Sequence, residues 1–310
     1  MRRRTVLVAA LAAALSLASC GSSPDGHARQ VSAARASGPF RVVAVGDIAC
    51  PPGEPVTSTT CRQGATARLA RSLDPDAVLA LGDLQYPNGS LRRFQEGYDT
   101  TWGRFKDRTY PTPGNHEYST QAASGYFDYF GTAAGSALAG YYSYDLGTWH
   151  VVVLNSECDH IGGCELGSPQ EQWLRLDLAA HPTRCTLVYW HQPRFSSGKH
   201  GSKVTYNAFW QAAYDAGADV VLSAHDHEYE RLAPMNPSGE IDPDRGIRSF
   251  VVGTGGSTHY RFHDVVPGSE VRLENVFGVL QLTLRPEDYA WRFVGLPGSG
   301  ASDAGSGTCH

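Results

Sequence analysis

The sequence contains no C-x2-C pair, no G-x-S-x-G turn, no G-x-x-x-x-G-K-[ST] loop and no H-E-x-x-H helix. These absences exclude, in turn, thiolate zinc or iron–sulfur cages, the serine-hydrolase elbow, the P-loop nucleotide cradle and the zincin metal helix. It has no internal repeat, and no linker divides its body. Positive charge is scarce: 26 Lys and Arg against 31 Asp and Glu give −5 at pH 7. Discounting a leader that holds Arg2, Arg3 and Arg4 makes it about −8. So acidic a chain lacks the electrostatic footprint for a phosphate backbone, which argues against nucleic acid as a partner. Any phosphate it handles needs local neutralisation, for which metal ions are suited. What is present is the composition of an ordered soluble chain: 310 residues, 41% apolar, 18% charged, mean hydropathy −0.31. That length supports a sizeable core, and 34 Gly with 18 Pro supply many turns.

The amino-terminal segment indicates where the protein works. Arg2-Arg3-Arg4 precedes an apolar run over 6–17, broken only by Ser16. This has signal-peptide proportions and is too short to span a bilayer. It ends Leu17-Ala18-Ser19-Cys20, which resembles the lipobox of bacterial lipoproteins, where the Cys20 thiol would take a diacylglyceryl group and become the new N-terminus. An ordinary cleaved signal with an incidental Cys20 is the alternative. Arg3-Arg4-Thr5-Val6-Leu7 also resembles a twin-arginine signal. The expected organisation is signal peptide 1–19, lipidated Cys20 with a flexible tether over 20–38, and one catalytic domain over 39–310. The protein is thus expected to be exported and lipid-anchored on the outer face of the bacterial cytoplasmic membrane, or secreted if Cys20 is unmodified. Seven cysteines are an awkward number for such a protein, and assigning Cys20 to lipid leaves six. Six thiols allow fifteen pairings. Proximity in sequence favours Cys50–Cys61 and Cys158–Cys164, leaving Cys185–Cys309 to pin a Gly/Ser-rich tail over 298–308 that otherwise has no reason to be ordered.

Short β-branched runs over 41–45, 77–81, 149–154, 186–190, 220–223 and 249–252 end abruptly in Gly, Asp, Asn or His. Helical spacing appears over 65–73, 91–105, 170–180 and 206–216, and a hairpin over 279–284 and 289–294. Continuous apolar strands alternating with amphipathic helices predict an α/β protein with covered sheets. The chemistry follows the strands: Gly46-Asp47, Gly82-Asp83-Leu84-Gln85-Tyr86, Gly114-Asn115-His116-Glu117, His191-Gln192-Pro193 and Ala224-His225-Asp226-His227. In α/β sheets the carboxyl ends of strands converge on one crevice. Two Asp, an Asn, three His and a Tyr there offer two metal ions a mixed oxygen and nitrogen shell. A shared carboxylate, a role suiting Asp83, would hold the ions about 3.5–4 Å apart. Each piece is ambiguous alone. Gly-Asp after a strand is commonly a turn; His191 fits a core position, as does His150 within 149–154. His225-x-His227 needs a strand-end kink, because alternate strand residues face opposite ways. The ordered series of five motifs selects the metal site.

In that order the motifs resemble the calcineurin-like metallophosphoesterase superfamily and, within it, the purple acid phosphatases. The pattern D-x-G, G-D-x-x-Y, G-N-H-D/E, V-x-x-H, G-H-x-H appears as Asp47-Ile48-Ala49, Gly82 to Tyr86, Gly114 to Glu117, Val188 to His191 and Ala224 to His227. Residues 227–231 are similar to the family's H-x-Y-E-R run. Ala49 and Ala224 stand where the family has glycine; both concern backbone clearance and remove no ligand. The resemblance implies a two-sheet β-sandwich flanked by helices, the αββα fold, and two metal ions. Asp47, Tyr86 and His227 would hold Fe(III), while Asn115, His191 and His225 would hold a divalent ion (iron, zinc or manganese), with Asp83 bridging. The Tyr86 phenolate carries the iron assignment and the purple colour. It implies hydrolysis of a small-molecule phosphate monoester by metal-bound hydroxide, with His116 as general acid. His200 would be an outer-shell histidine, though an exposed loop position is equally compatible, and Glu117 is either ligand support or a turn carboxylate. A phosphodiesterase or nucleotidase of the same superfamily stays open. So does a metal-binding surface protein without turnover, against which an intact His116 argues.

Overall fold

The computed structural model describes residues 38–310, so the leader, Cys20 and all but the last residue of the tether lie outside the described residues. The strands are β1 (Phe40–Val45), β2 (Ala77–Leu81), β3 (Thr109–Thr112), β4 (Tyr142–Leu146), β5 (Trp149–Val153), β6 (Cys185–Tyr189), β7 (Val220–Ser223), β8 (Tyr229–Leu232), β9 (Arg248–Val252), β10 (Ser269–Leu273), β11 (Gly278–Leu284), β12 (Asp288–Gly295) and β13 (Ser302–Thr308). They form two mixed sheets, ordered β13-β12-β11-β1-β2-β3 and β10-β8-β9-β7-β6-β5-β4. The first has three parallel strands, β1-β2-β3, running to one edge, with antiparallel strands on the other side. The second has a parallel centre, β5-β6-β7-β9, finished at both ends by antiparallel strands. No helix among the described residues is long and apolar enough to cross a membrane.

The two-residue period of a strand explains how both faces are filled. Val151, Val153, Leu187, Tyr189, Val220 and Leu222 face the first sheet and join its Val42, Leu79 and Leu280 in the inter-sheet core. The alternate residues Val152, Val188, Trp190 and Val221 pack instead on Leu174 and Leu178 of the helix Pro169–Ala180 and on Phe209, Trp210 and Ala213 of the helix Asn207–Asp215. Each fully buried Val or Leu contributes about 1.5–3 kcal/mol by leaving water. Continuous apolar runs are what a doubly covered sheet requires, and the sandwich with helical flanks is the architecture expected from the motifs. The helix Pro169–Ala180 starts where its sequence signals: Ser168 accepts the Glu171 N–H, and Pro169 opens the first turn.

Two segments depart from the sequence expectation. Residues 91–105 do not form one helix. After Leu91–Arg93 the chain makes a π-type turn over Phe94–Tyr98, and a 3-10 segment follows over Trp102–Arg108. The cause is Gln85, whose Oε1 accepts the Tyr98 N–H (2.8 Å), while the Asp99 N–H reaches back to the Phe94 carbonyl. A side chain inserted into the ladder widens it. The tail is also more than a disulfide-pinned coil: β13 pairs with β12 from Asp288↔Thr308 to Val294↔Ser302. Its glycines serve packing, since a Cβ at Gly305 would stand 2.3 Å from the Trp291 ring and one at Gly307 2.5 Å from Tyr289. The structure joins Cys50 to Cys61, Cys158 to Cys164 and Cys185 to Cys309.

His150 is a buried histidine held by two carboxylates. Its Nδ1 meets Asp145, its cross-strand partner on β4, and its Nε2 meets Asp177, both at 2.9 Å. Burial alone would keep the ring neutral, but these two carboxylates raise its pKa above 6.5. The resulting stability is present in full below the unfolded value and is lost as pH rises through the raised folded value. His150→Asn is therefore expected to cost more stability at pH 5.5 than at pH 9 in urea unfolding. An equal cost at both would remove the charged pair from the account.

Candidate metal centre

The carboxyl ends of strands from both sheets meet in one seam. The His225 N–H donates to Asp47 Oδ2 (2.8 Å), the Gly46 N–H to the Val252 carbonyl (2.9 Å), and His191 Nδ1 lies 2.8 Å from the Leu81 carbonyl. At these ends Asp47, Asp83 and His225 adopt left-handed backbone, with φ of 57°, 50° and 69°. Such residues cost of order 1–3 kcal/mol and concentrate at functional sites. Here they solve a geometric problem. A left-handed His225 breaks the strand alternation, so that His225 and His227 both face the seam. Glycine is required beside them: a Cβ at Gly114 would lie 2.4 Å from Asp83 Oδ1. The Ala224 methyl, where the family pattern has glycine, is accommodated by Gly46, whose own Cβ would lie 2.5 Å from it.

The side chains gather in two overlapping sets. In the first, Tyr86 O–H donates to Asp47 Oδ1 (2.7 Å) and lies 3.0 Å from His227 Nε2. In the second, His191 Nε2 lies 3.2 Å from His225 Nδ1. Asp83 Oδ2 touches both, at 3.2 Å from Tyr86 O–H and 3.3 Å from His191 Nε2. Asn115 follows Gly114 at the edge of this cluster, and its Oδ1 is buried with no hydrogen-bond partner among the described residues. Asp83, His191 and His225 alone offer three ligand atoms within 4.8 Å of one another.

The electrostatics follow from this crowding of acceptors. Burial opposes charge on Asp47 and Asp83, yet His227 and His191 hold Asp47 below the usual carboxylate range, and His191 and His116 do so for Asp83. Burial disfavours a charged His191 as well, but Asp83 and Asp47 raise it to about 10. His225 is pushed down to about 3 by burial and by His191. Burial and the Asp47 and Asp83 carboxylates push Tyr86 well above 10. The two carboxylates thus favour a proton on His191 and on the Tyr86 hydroxyl, and metal ions bound at these atoms would displace those protons. The orphaned Asn115 oxygen and the mixed oxygen and nitrogen donors fit metal ions.

A supporting layer fixes these side chains. Glu117, pushed up to about 8 by burial and by Asp83, accepts the N–H groups of Asp83 (2.9 Å), Leu84 (3.0 Å) and Gly114 (2.8 Å). His227 Nδ1 meets Thr258 Oγ1 (2.9 Å), and the Tyr260 ring stacks on His227 with centroids 4.0 Å apart. Partners of this kind fix the ring orientation of a ligand histidine. Thr258 and Tyr260 are absent from the sequence expectation; their only signal is the glycine-rich turn Gly253-Thr254-Gly255-Gly256 after β9. His116 packs on Tyr86 (centroids 4.2 Å), anchors Nδ1 at the Pro87 carbonyl (2.7 Å) and places Nε2 3.8 Å from Asp83. His200 is brought to the cluster too. Its ring lies 4.2 Å from that of His225, and buried Asp226, another residue missed in the sequence, receives its N–H and its Nδ1.

Two mixed sheets carrying this cluster on their common edge define the metallophosphoesterase class of architecture. The family described as calcineurin-like phosphoesterase matches residues 40–229, and the chain belongs to that family. Its relatives include purple acid phosphatase 15 of Arabidopsis thaliana, 28% identical over 221 residues, which are 59% of this chain and 40% of that protein. The chain thus spans less than half the length of that relative. Among solved structures, the purple acid phosphatase PPD1 from yellow lupin seeds superposes with a TM-score of 0.66 at 18% identity, covering 87% of this chain and 54% of that one. GAP50, the anchor in the inner membrane complex of Plasmodium, gives 0.63 at 12% identity, covering 88% and 90%. These likenesses establish the fold.

Proposed function

We propose that the chain is an exported phosphatase that hydrolyses phosphate monoesters at two metal ions. The observation that carries this is the position of Tyr86: its hydroxyl lies among Asp47, His227 and Asp83, where a phenolate would be a metal ligand. Asp47, Tyr86 and His227 would hold Fe(III), Asn115, His191 and His225 a divalent iron, zinc or manganese, and Asp83 both. Bound there, the ions supply Lewis acidity and an activated water. The chain's own residues do the rest. His116, fixed at Nδ1 by Pro87, presents Nε2 at the cluster edge, where it can deliver a proton to the leaving alcohol. His200, steadied by Asp226, bounds the same space. Three disulfides support an oxidising compartment and hence export. Lipidation at Cys20 would add the membrane anchor.

The test is hydrolysis of a phosphate monoester and a diester by metal-loaded protein across pH, with His116→Ala alongside. Monoester turnover should exceed diester turnover, and His116→Ala should lower it by about 10²–10³. Diester preference would move the protein to the phosphodiesterases. With both ions bound, no turnover of either would leave a metal-binding surface protein.

A further inference from the structure

The loop that carries His200 also carries an unpaired cation. Ser196 donates its hydroxyl to Asp226, Ser197 donates N–H and O–H to Glu230, and the His200 N–H closes on Asp226 (2.8 Å). Both carboxylates are fully buried. Gly198 has no room for a side chain, since a Cβ would stand 2.0 Å from Glu228 Oε1. Lys199 is therefore presented from a backbone clamped on either side, although the residue itself is exposed. Its Nζ sits 4.4 Å from the centroid of the Tyr260 ring, the same ring that stacks on His227 and meets His200 edge-on at 5.3 Å. Among the described residues Lys199 makes no ion pair. An ammonium held on an aromatic face keeps its charge available to a further anion. The rim beside His191 is different: there Glu157 is held by Gln192 (2.9 Å).

From this asymmetry we infer that Lys199, seated on Tyr260, is a subsite for a second anionic group on the substrate. The inference rests on the monoesterase reading and narrows it. The transferred phosphoryl group belongs to the metal cluster, from which the Lys199 ammonium is set back by the Tyr260 ring. Its charge is therefore left for a carboxylate or further phosphate on the alcohol portion. In a chain that is otherwise acidic, a cation fixed at the mouth of the site selects esters with an anionic tail over neutral ones by steering and by direct pairing.

The experiment compares phenyl phosphate with 3-(carboxymethyl)phenyl phosphate, whose methylene keeps the two leaving groups close in acidity. The readout is the ratio of kcat/KM for the two substrates in wild type and in Lys199→Gln. The wild type should favour the carboxylated ester. Lys199→Gln should lower the ratio about fivefold, the reach of one exposed charge pair, through KM rather than kcat. Added salt should erase the wild-type preference while scarcely touching the variant. A ratio unchanged by Lys199→Gln overturns the subsite and leaves the monoesterase reading standing. Failure of the wild type to hydrolyse phenyl phosphate overturns both.

Discussion

Asp83→Asn is expected to strip the protein of both ions and to lower kcat at least about a thousandfold, while the fold survives. Among the described residues, Asp83 is the side chain whose one oxygen, Oδ2, contacts both sets, at Tyr86 and at His191. Its other oxygen accepts the His116 N–H (2.8 Å). A carboxamide keeps the shape and one acceptor but removes the negative charge that would attract and share the ions. The backbone at φ 50° suits asparagine as well as aspartate. Elemental analysis, visible absorbance from the Tyr86 phenolate and circular dichroism separate these effects. Retention of both ions at wild-type occupancy would show that Asp83 does not bridge.

Glu117→Ala should be the most destabilising single change at the site, by about 3–6 kcal/mol, because it leaves four buried backbone N–H groups without this acceptor at once. Those groups belong to Asp83, Leu84, Gln85 and Gly114, so Glu117 ties the strand end after β2 to the turn that carries Asn115 and His116. Metal affinity should fall with stability, since this carboxylate fixes the backbone of Asp83 against that of Gly114, next to Asn115. Glu117→Gln retains one acceptor oxygen and should lie between. Urea unfolding of the metal-free proteins decides it: an alanine variant within about 1 kcal/mol of wild type would mean that water replaces the carboxylate.

What the sequence made legible, and what it hid, follows from the range of the interactions. Asp47, Asp83, His191 and His225 are announced locally, because each ends an apolar run whose direction is set by the strand before it. The helix Pro169–Ala180 likewise carries its own start signal in Ser168, Pro169 and Glu171. The break at Phe94–Tyr98 is caused by Gln85, and Gly97, which leaves room for that side chain, is its one local trace. The Gly/Ser tail reads as coil until Trp291 and Tyr289 are seen to cover Gly305 and Gly307. Asp226 and Glu230 stand plainly in the motif after β7. Their task of clamping residues 196–200 depends on a contact more than 25 residues away in sequence, which a single sequence does not disclose.

The left-handed residues of the seam also bear on how such a protein can change over generations. Asp47, Asp83 and His225 are chosen for chemistry against the preference of their own backbone. Replacement by glycine at these places relaxes a twisted peptide, and asparagine is accepted there as readily as aspartate. Losing the metals would therefore relieve backbone strain at the very positions that bind them, and asparagine would keep the acceptor that Asp47 and Asp83 offer to the His225 and His116 N–H groups. A duplicated copy freed from selection for turnover can drift away from catalysis while its two sheets and helical flanks persist as a platform for other uses. The geometry that builds the reactive centre is thus also an easy way out of it.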